Sequence, residues 1–269
     1  MSEEARAPAA STKLPVWRSA VGAYRDLFGN FRAFLTAAAV PFVLSCAIYL
    51  VSSPYAEDLA PQIATTVLET LPVTLFEIAW FRFLLIRGAE TRPGLLPRPG
   101  RRLPRYLVYS LLLVLLNLPQ ILLPAAPLPG LGPVAIAALF LLTTVLLGYL
   151  SLRFSFVLAW VAIDRPGGFG ASWQATGGNG LRLLVAGTLV SLPIFFAIGV
   201  LVALMPPTVT ESLAPPADPA SNLAKAPLLL GTAAMTYALA AVVASLIARA
   251  FCLLTGWSPN RDELLERFE

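Results

Sequence analysis

Two glutamates stand inside a stretch otherwise apolar enough to cross a lipid bilayer. In "TTVLETLPVTLFE" (65–77), Thr66, Glu69, Thr70, Thr74 and Glu77 recur at spacings of three, four and one, which sets them along one side of a helix. Other polar residues lie within other apolar runs: Asn117 and Gln120 in one, Arg153 in another. An ionisable group inside a membrane is costly and normally has a partner or a purpose. The set Glu69, Glu77, Arg153, Asn117 and Gln120 therefore has two readings. It forms a polar route for a proton, ion or small solute, or it forms satisfied contacts between helices. Glu77 and Arg153 each fall roughly 12–14 Å from the cytoplasmic ends of their helices at 1.5 Å per residue. Burial disfavours a lone charge, so Glu77 is either protonated or near a cation, and the matching depth predicts a direct or water-bridged Glu77–Arg153 contact.

A second stretch, "SWQATGGNGLRLL" (172–184), crowds three glycines around Asn179 just ahead of an apolar run. A phosphate loop would need a preceding strand and a lysine followed by Ser or Thr. Neither is present. The better reading is an elbow, with Gly178 and Gly180 allowing a sharp turn and Asn179 capping the helix that follows. "YRDLFGNFRAFL" (24–35) places the same Gly-Asn pair, Gly29 and Asn30, before another apolar run. Arg32 answers to Arg182, and an aromatic precedes each site, Tyr24 in one and Trp173 in the other. Downstream, "RFLLIRG" (82–88) echoes "RAFCLLTG" (249–256). The pattern reads as an internal duplication of an elbow plus two helices.

Little other chemistry is on offer. The chain has no histidine, and its two cysteines, Cys46 and Cys252, both sit in apolar runs. Zinc sites want about four nitrogen or sulfur ligands, so no metal and no cofactor is expected. Near the second elbow, Asp164 and Ser172 make no catalytic set, and the sequence points to a protein that is not an enzyme.

The elements that hold these residues follow from composition. Of 269 residues, 57% are hydrophobic and 13% charged, against about a quarter charged in soluble domains. Six runs are long enough to cross a bilayer, which takes about 20 residues: roughly 34–53, 62–85, 106–123, 134–161, 183–205 and 226–254. Pro41, Pro72, Pro119 and Pro193 lie inside four of them, and interior prolines are tolerated in packed membrane bundles, where they kink helices. The expected fold is an all-α six-helix membrane bundle over residues 15–256. A disordered tail precedes it at 1–14, where no cleavage is expected, and a second tail follows at 257–269. Fifteen basic residues fall in the two tails and the even-numbered connections, and only Lys225 in the odd-numbered ones. The positive-inside rule then puts both termini in the cytoplasm.

Ahead of the first run, "WRSAVGAYRDLFGNFR" (17–32) has Trp17, Val21, Tyr24, Phe28 and Phe31 at spacings of four and three, and Arg18, Arg25 and Arg32 at seven. This is an amphipathic helix, expected to lie in the cytoplasmic interface. The lipid bilayer, including anionic headgroups drawn to the arginines, is the expected partner, beside a membrane protein or a second copy of the chain. Nucleic acid is not expected. The last run carries a seam of small residues, Gly231, Ala234, Ala238, Ala241, Ser245 and Ala248, suited to close helix packing within the bundle.

The motifs "AYRDLFGNFRAFL", "IAWFRFLLIRG" and "SLRFSFVLAWVAID…SWQATGGNGLRLL" resemble a family of bacterial multi-pass membrane proteins over most of residues 17–256. The pattern is similar to YciC-type inner-membrane proteins and to the membrane portion fused to some glycerophosphodiester phosphodiesterases. The resemblance implies an all-helical fold in the bacterial inner membrane. It does not imply phosphodiesterase activity, which belongs to a separate soluble barrel using histidines and carboxylates at a metal. A structural, assembly or envelope-associated role is the first functional expectation. The second is a small permease, or the membrane subunit of a transporter, using a polar route around Glu69, Glu77 and Arg153. A polar cavity joining Glu69, Glu77, Arg153 and Asn117 to one surface would favour the second and a dry core the first.

Overall fold

The computed structural model describes residues 13–52, 59–86, 102–125, 132–203 and 219–257. The expected tails fall almost wholly outside these residues, as do most of the basic connection between the second and third runs and most of the three odd-numbered connections. Nine helices account for the described chain: α1 (Val16–Gly29), α2 (Phe31–Ser52), α3 (Leu59–Leu85), α4 (Arg102–Ala125), α5 (Pro133–Phe154), α6 (Phe156–Ala162), α7 (Phe169–Ala175), α8 (Gly180–Ala203) and α9 (Pro219–Thr255). No strand occurs among the described residues.

Six helical stretches are long and apolar enough to span a membrane: α2, α3, α4, α5 with α6, α8 and α9. Each coincides with one of the expected runs. Helix continues through Pro41, Pro72, Pro119 and Pro193, as membrane packing allows. The fourth span is interrupted at Ser155, which separates α5 from α6.

The spans pack in chain order, and α9 closes back on α2 while also meeting α3. The join between α3 and α9 is tight because Trp80, fully buried, donates its indole N–H to the Ala241 carbonyl and to Ser245 Oγ, both at 3.0 Å. Ala241, Ser245 and Ala248 of the small-residue seam are buried inside the bundle, as expected, whereas Ala234 is exposed.

The first helix has more partners than its sequence suggested. The short tail leaves a lone amphipathic helix no neighbour of its own, but the bundle supplies one. Ser19, Ala20, Ala23 and Leu27 are buried, and α1 packs on α8 and α9. At about 100° per residue, this small-residue face lies opposite Arg18 and Arg25. The aromatic stripe falls between the two. Trp17 and Phe28 remain 69% and 67% exposed, while Tyr24 turns in and donates its hydroxyl to the Val190 carbonyl at 2.6 Å.

Candidate functional site

The polar stripe of α3 faces a matching stripe on α4. Thr66, Glu69, Thr70, Val73, Thr74 and Glu77 from α3 line one side of a cavity of about 400 Å³. Ser110, Leu113, Val114, Asn117, Gln120 and Ile121 from α4 line the other, with Leu158 of α6 and Thr236 of α9 completing the wall. Thr66 to Glu77 is eleven residues, so the cavity follows α3 for roughly 16 Å at 1.5 Å per residue. Four of the five expected intramembrane polar residues thus meet in one place: Glu69, Glu77, Asn117 and Gln120.

Arg153 is not among them, which corrects the expected Glu77–Arg153 contact. Glu77 instead accepts a hydrogen bond from the Tyr106 hydroxyl at 3.0 Å. Arg153 serves the elbow. It is buried, and its guanidinium donates to Thr176 Oγ1 at 3.0 Å, to the Tyr149 hydroxyl at 3.2 Å and to the Trp173 carbonyl at 2.6 Å. Its guanidinium carbon also lies 3.3 Å from the Trp173 ring centre, a cation–π contact. Ser172 Oγ closes the arrangement by donating to the Arg153 carbonyl at 2.5 Å. Matching depth gave no azimuth: α5 turns this residue toward α7, away from α3.

The cavity leaves hydrogen-bonding capacity unused. Glu69 Oε1, Thr74 Oγ1 and Ser110 Oγ are the buried side-chain polar atoms without a hydrogen-bond partner among the described residues, and all three residues line it. Such atoms are rare in native proteins and each calls for a reason, such as water or a ligand. Tyr49 of α2 lies beside Glu69. Asn117 donates to the Leu113 carbonyl at 2.7 Å and to Ser151 Oγ at 2.9 Å. Among the described residues, no three His, Cys, Asp or Glu side chains gather as a metal site.

Tyr106, Ser110 and Thr236 were missed from sequence. The first two were findable, because Tyr106, Ser110, Leu113, Asn117 and Gln120 recur at four, three, four and three along α4. Thr236 stands alone, and only tertiary packing brings it to the cavity.

The elbows differ in construction. Gly178 has φ +70°, a left-handed conformation that glycine adopts without penalty. A side chain at Gly180 would lie 2.7 Å from the Tyr149 ring, so close packing fixes that glycine. The Asn179 side chain, expected to cap α8, has its oxygen engaged elsewhere: Oδ1 accepts the Leu14 amide at 2.9 Å. Arg182 donates to the Leu14 carbonyl at 3.1 Å, so the second elbow grips the chain just before α1. At the first elbow, Asn30 Nδ2 donates to the Asp26 carbonyl at 2.9 Å. Gly29 has no such positive φ, and Arg18, Arg25 and Arg32 are exposed.

Two exchanged ion pairs tie the late turns of α3 and α9 to acidic residues near the elbows. Arg82, late in α3, approaches Asp164 at 3.5 Å, just ahead of the second elbow. Arg249, late in α9, binds Asp26 through both carboxylate oxygens at 2.5 and 2.6 Å, just ahead of the first. Asp164 also pairs with Arg102 at 2.6 Å and has φ +60°; Asp and Asn tolerate this region better than most residues.

Fold and cavity together define a multi-pass, all-helical membrane protein with a mostly apolar cavity, carrying a few polar groups, between its second and third spans. No family model, curated protein or solved structure matches the chain.

Proposed function

We propose that the protein is a small permease, or the membrane subunit of a transporter, whose solute passes through the cavity between α3 and α4. The observation that carries this reading is that Glu69, Thr74 and Ser110 each present an unpartnered buried polar atom and all line one cavity. Helix glue would satisfy such groups; a site that takes and releases a solute leaves them open. Arg153 has no part in the route. The charge distribution supports an orientation with both termini cytoplasmic, and the exposed arginines of α1 suit anionic headgroups.

Water access tests the reading. Cys46 and Cys252 are replaced by alanine, and a single cysteine is placed at Val114, in the cavity wall, or at Leu115, which is 61% exposed on the outer face of the bundle. In membranes, a small water-soluble thiol reagent should modify Val114→Cys and leave Leu115→Cys unreacted, because a thiolate does not form in lipid. Silence at both positions defeats the transport reading and favours a structural or assembly role.

A further inference from the structure

The cavity's chemistry narrows what it accepts, given the transport reading on which this step rests. Among the described residues, its only ionisable lining side chains are two carboxylates, Glu69 and Glu77, and no lysine or arginine lines it. Glu77 takes a donor from Tyr106 and Glu69 one from Tyr49, while Glu69 Oε1 has no partner among the described residues. Thr74 and Ser110 are 0% and 8% exposed, and their hydroxyls are unpartnered. An ionised carboxylate in a low-dielectric wall is costly, and a proton or a positive guest relieves it. The remaining wall is hydrocarbon, from Val73, Leu113, Val114, Ile121 and Leu158. A volume of about 400 Å³ lies at the small end of ligand pockets.

We propose that this cavity is a binding site for a small organic ammonium ion. Its N–H groups donate to the Glu69 carboxylate, with Glu77 as countercharge. Its short hydrocarbon part lies against Val114 and Ile121. An alkali metal ion would share the charge but would leave the apolar wall unused.

The test uses Val114→Cys, with Gln120→Cys as a second reporter, in the full chain in lipid nanodiscs with the native cysteines replaced. Methanethiosulfonate reagents bearing an ammonium or a sulfonate group are compared, each corrected for its rate with a free thiol. The ammonium reagent should react at least about tenfold faster, the ratio that 1.4 kcal/mol of electrostatic preference gives at 25 °C. Butylammonium should protect the thiol, while butanol, butyrate and sodium should not. Glu69→Gln and Glu77→Gln should each reduce the preference, and Glu69→Gln guards against a folding defect in the more deeply placed Glu77. Equal rates, or protection by butanol or sodium as good as by butylammonium, overturn the ammonium assignment and leave the water-filled route standing. No reaction with either reagent at either position removes the route itself.

Discussion

Arg153 gives the sharpest test of how the bundle is held together. Its guanidinium makes three hydrogen bonds and stacks on Trp173, and no carboxylate faces it among the described residues. Hydrogen bonds to a charged group contribute about 1.5–3 kcal/mol each, and a desolvated cation–π contact about 2 kcal/mol. Against these stands the several kcal/mol that burying an ion costs. Arg153→Met removes both sides of that balance and leaves Thr176, Tyr149 and the Trp173 carbonyl short of a donor. The net loss should be about 3 kcal/mol. Arg153→Lys keeps the buried charge, loses the planar stack and cannot reach three acceptors in fixed directions. It should therefore destabilise at least as much as Met, although it looks the more conservative change. Unfolding in mild detergent, followed by tryptophan fluorescence against added denaturing detergent, ranks the variants. A lysine variant as stable as the parent would show that the site needs only positive charge, and would refute the geometric argument. Because Arg153 and Glu77 share no partner, combining Arg153→Met with Glu77→Gln should give additive losses.

At the elbows, Gly178→Ala should cost about 1–2 kcal/mol, the penalty for a left-handed residue with a side chain. Gly29→Ala should be neutral in the same melting assay, since its φ is ordinary and nothing lies within 4 Å of an added Cβ; equal losses at both sites would contradict the structural difference between the elbows. For topology, a reporter active only outside the cytoplasm should be silent when fused at Glu269 and active near Glu57, Gly130 and Asp218, and activity at Glu269 would reverse the orientation.

Periodicity and charge made the spans legible. A helix buries or exposes whole faces, so runs of apolar residues and the stripe Thr66–Glu77 survive in one dimension. The elbows were legible as locations, through Gly-Asn and the flanking aromatics, but not as contacts. The sequence around Asn179 points to a local cap because its neighbours are helix amides; its oxygen serves Leu14, 165 residues away. The Glu77–Arg153 expectation failed for a related reason. Depth along two helices is readable from residue counts, whereas rotation about each axis depends on packing. The interruption at Ser155 and the positive φ of Asp164 belong to the same tertiary information.

The exchanged ion pairs bear on how the chain is made. Asp26 is synthesised before its partner Arg249, which follows 223 residues later. At about 5–20 residues per second, translation of that interval lasts on the order of 10–45 s. Throughout it, the first hairpin waits in the bilayer with its acidic elbow unclasped and the Ser19–Leu27 face of α1 uncovered by α9. The span that clasps the first elbow is thus made long after it. A chaperone or insertase holding the early helices would have its substrate until that moment, and a ribosome stalled within α9 would leave Asp26 free to report that the assembly is unfinished.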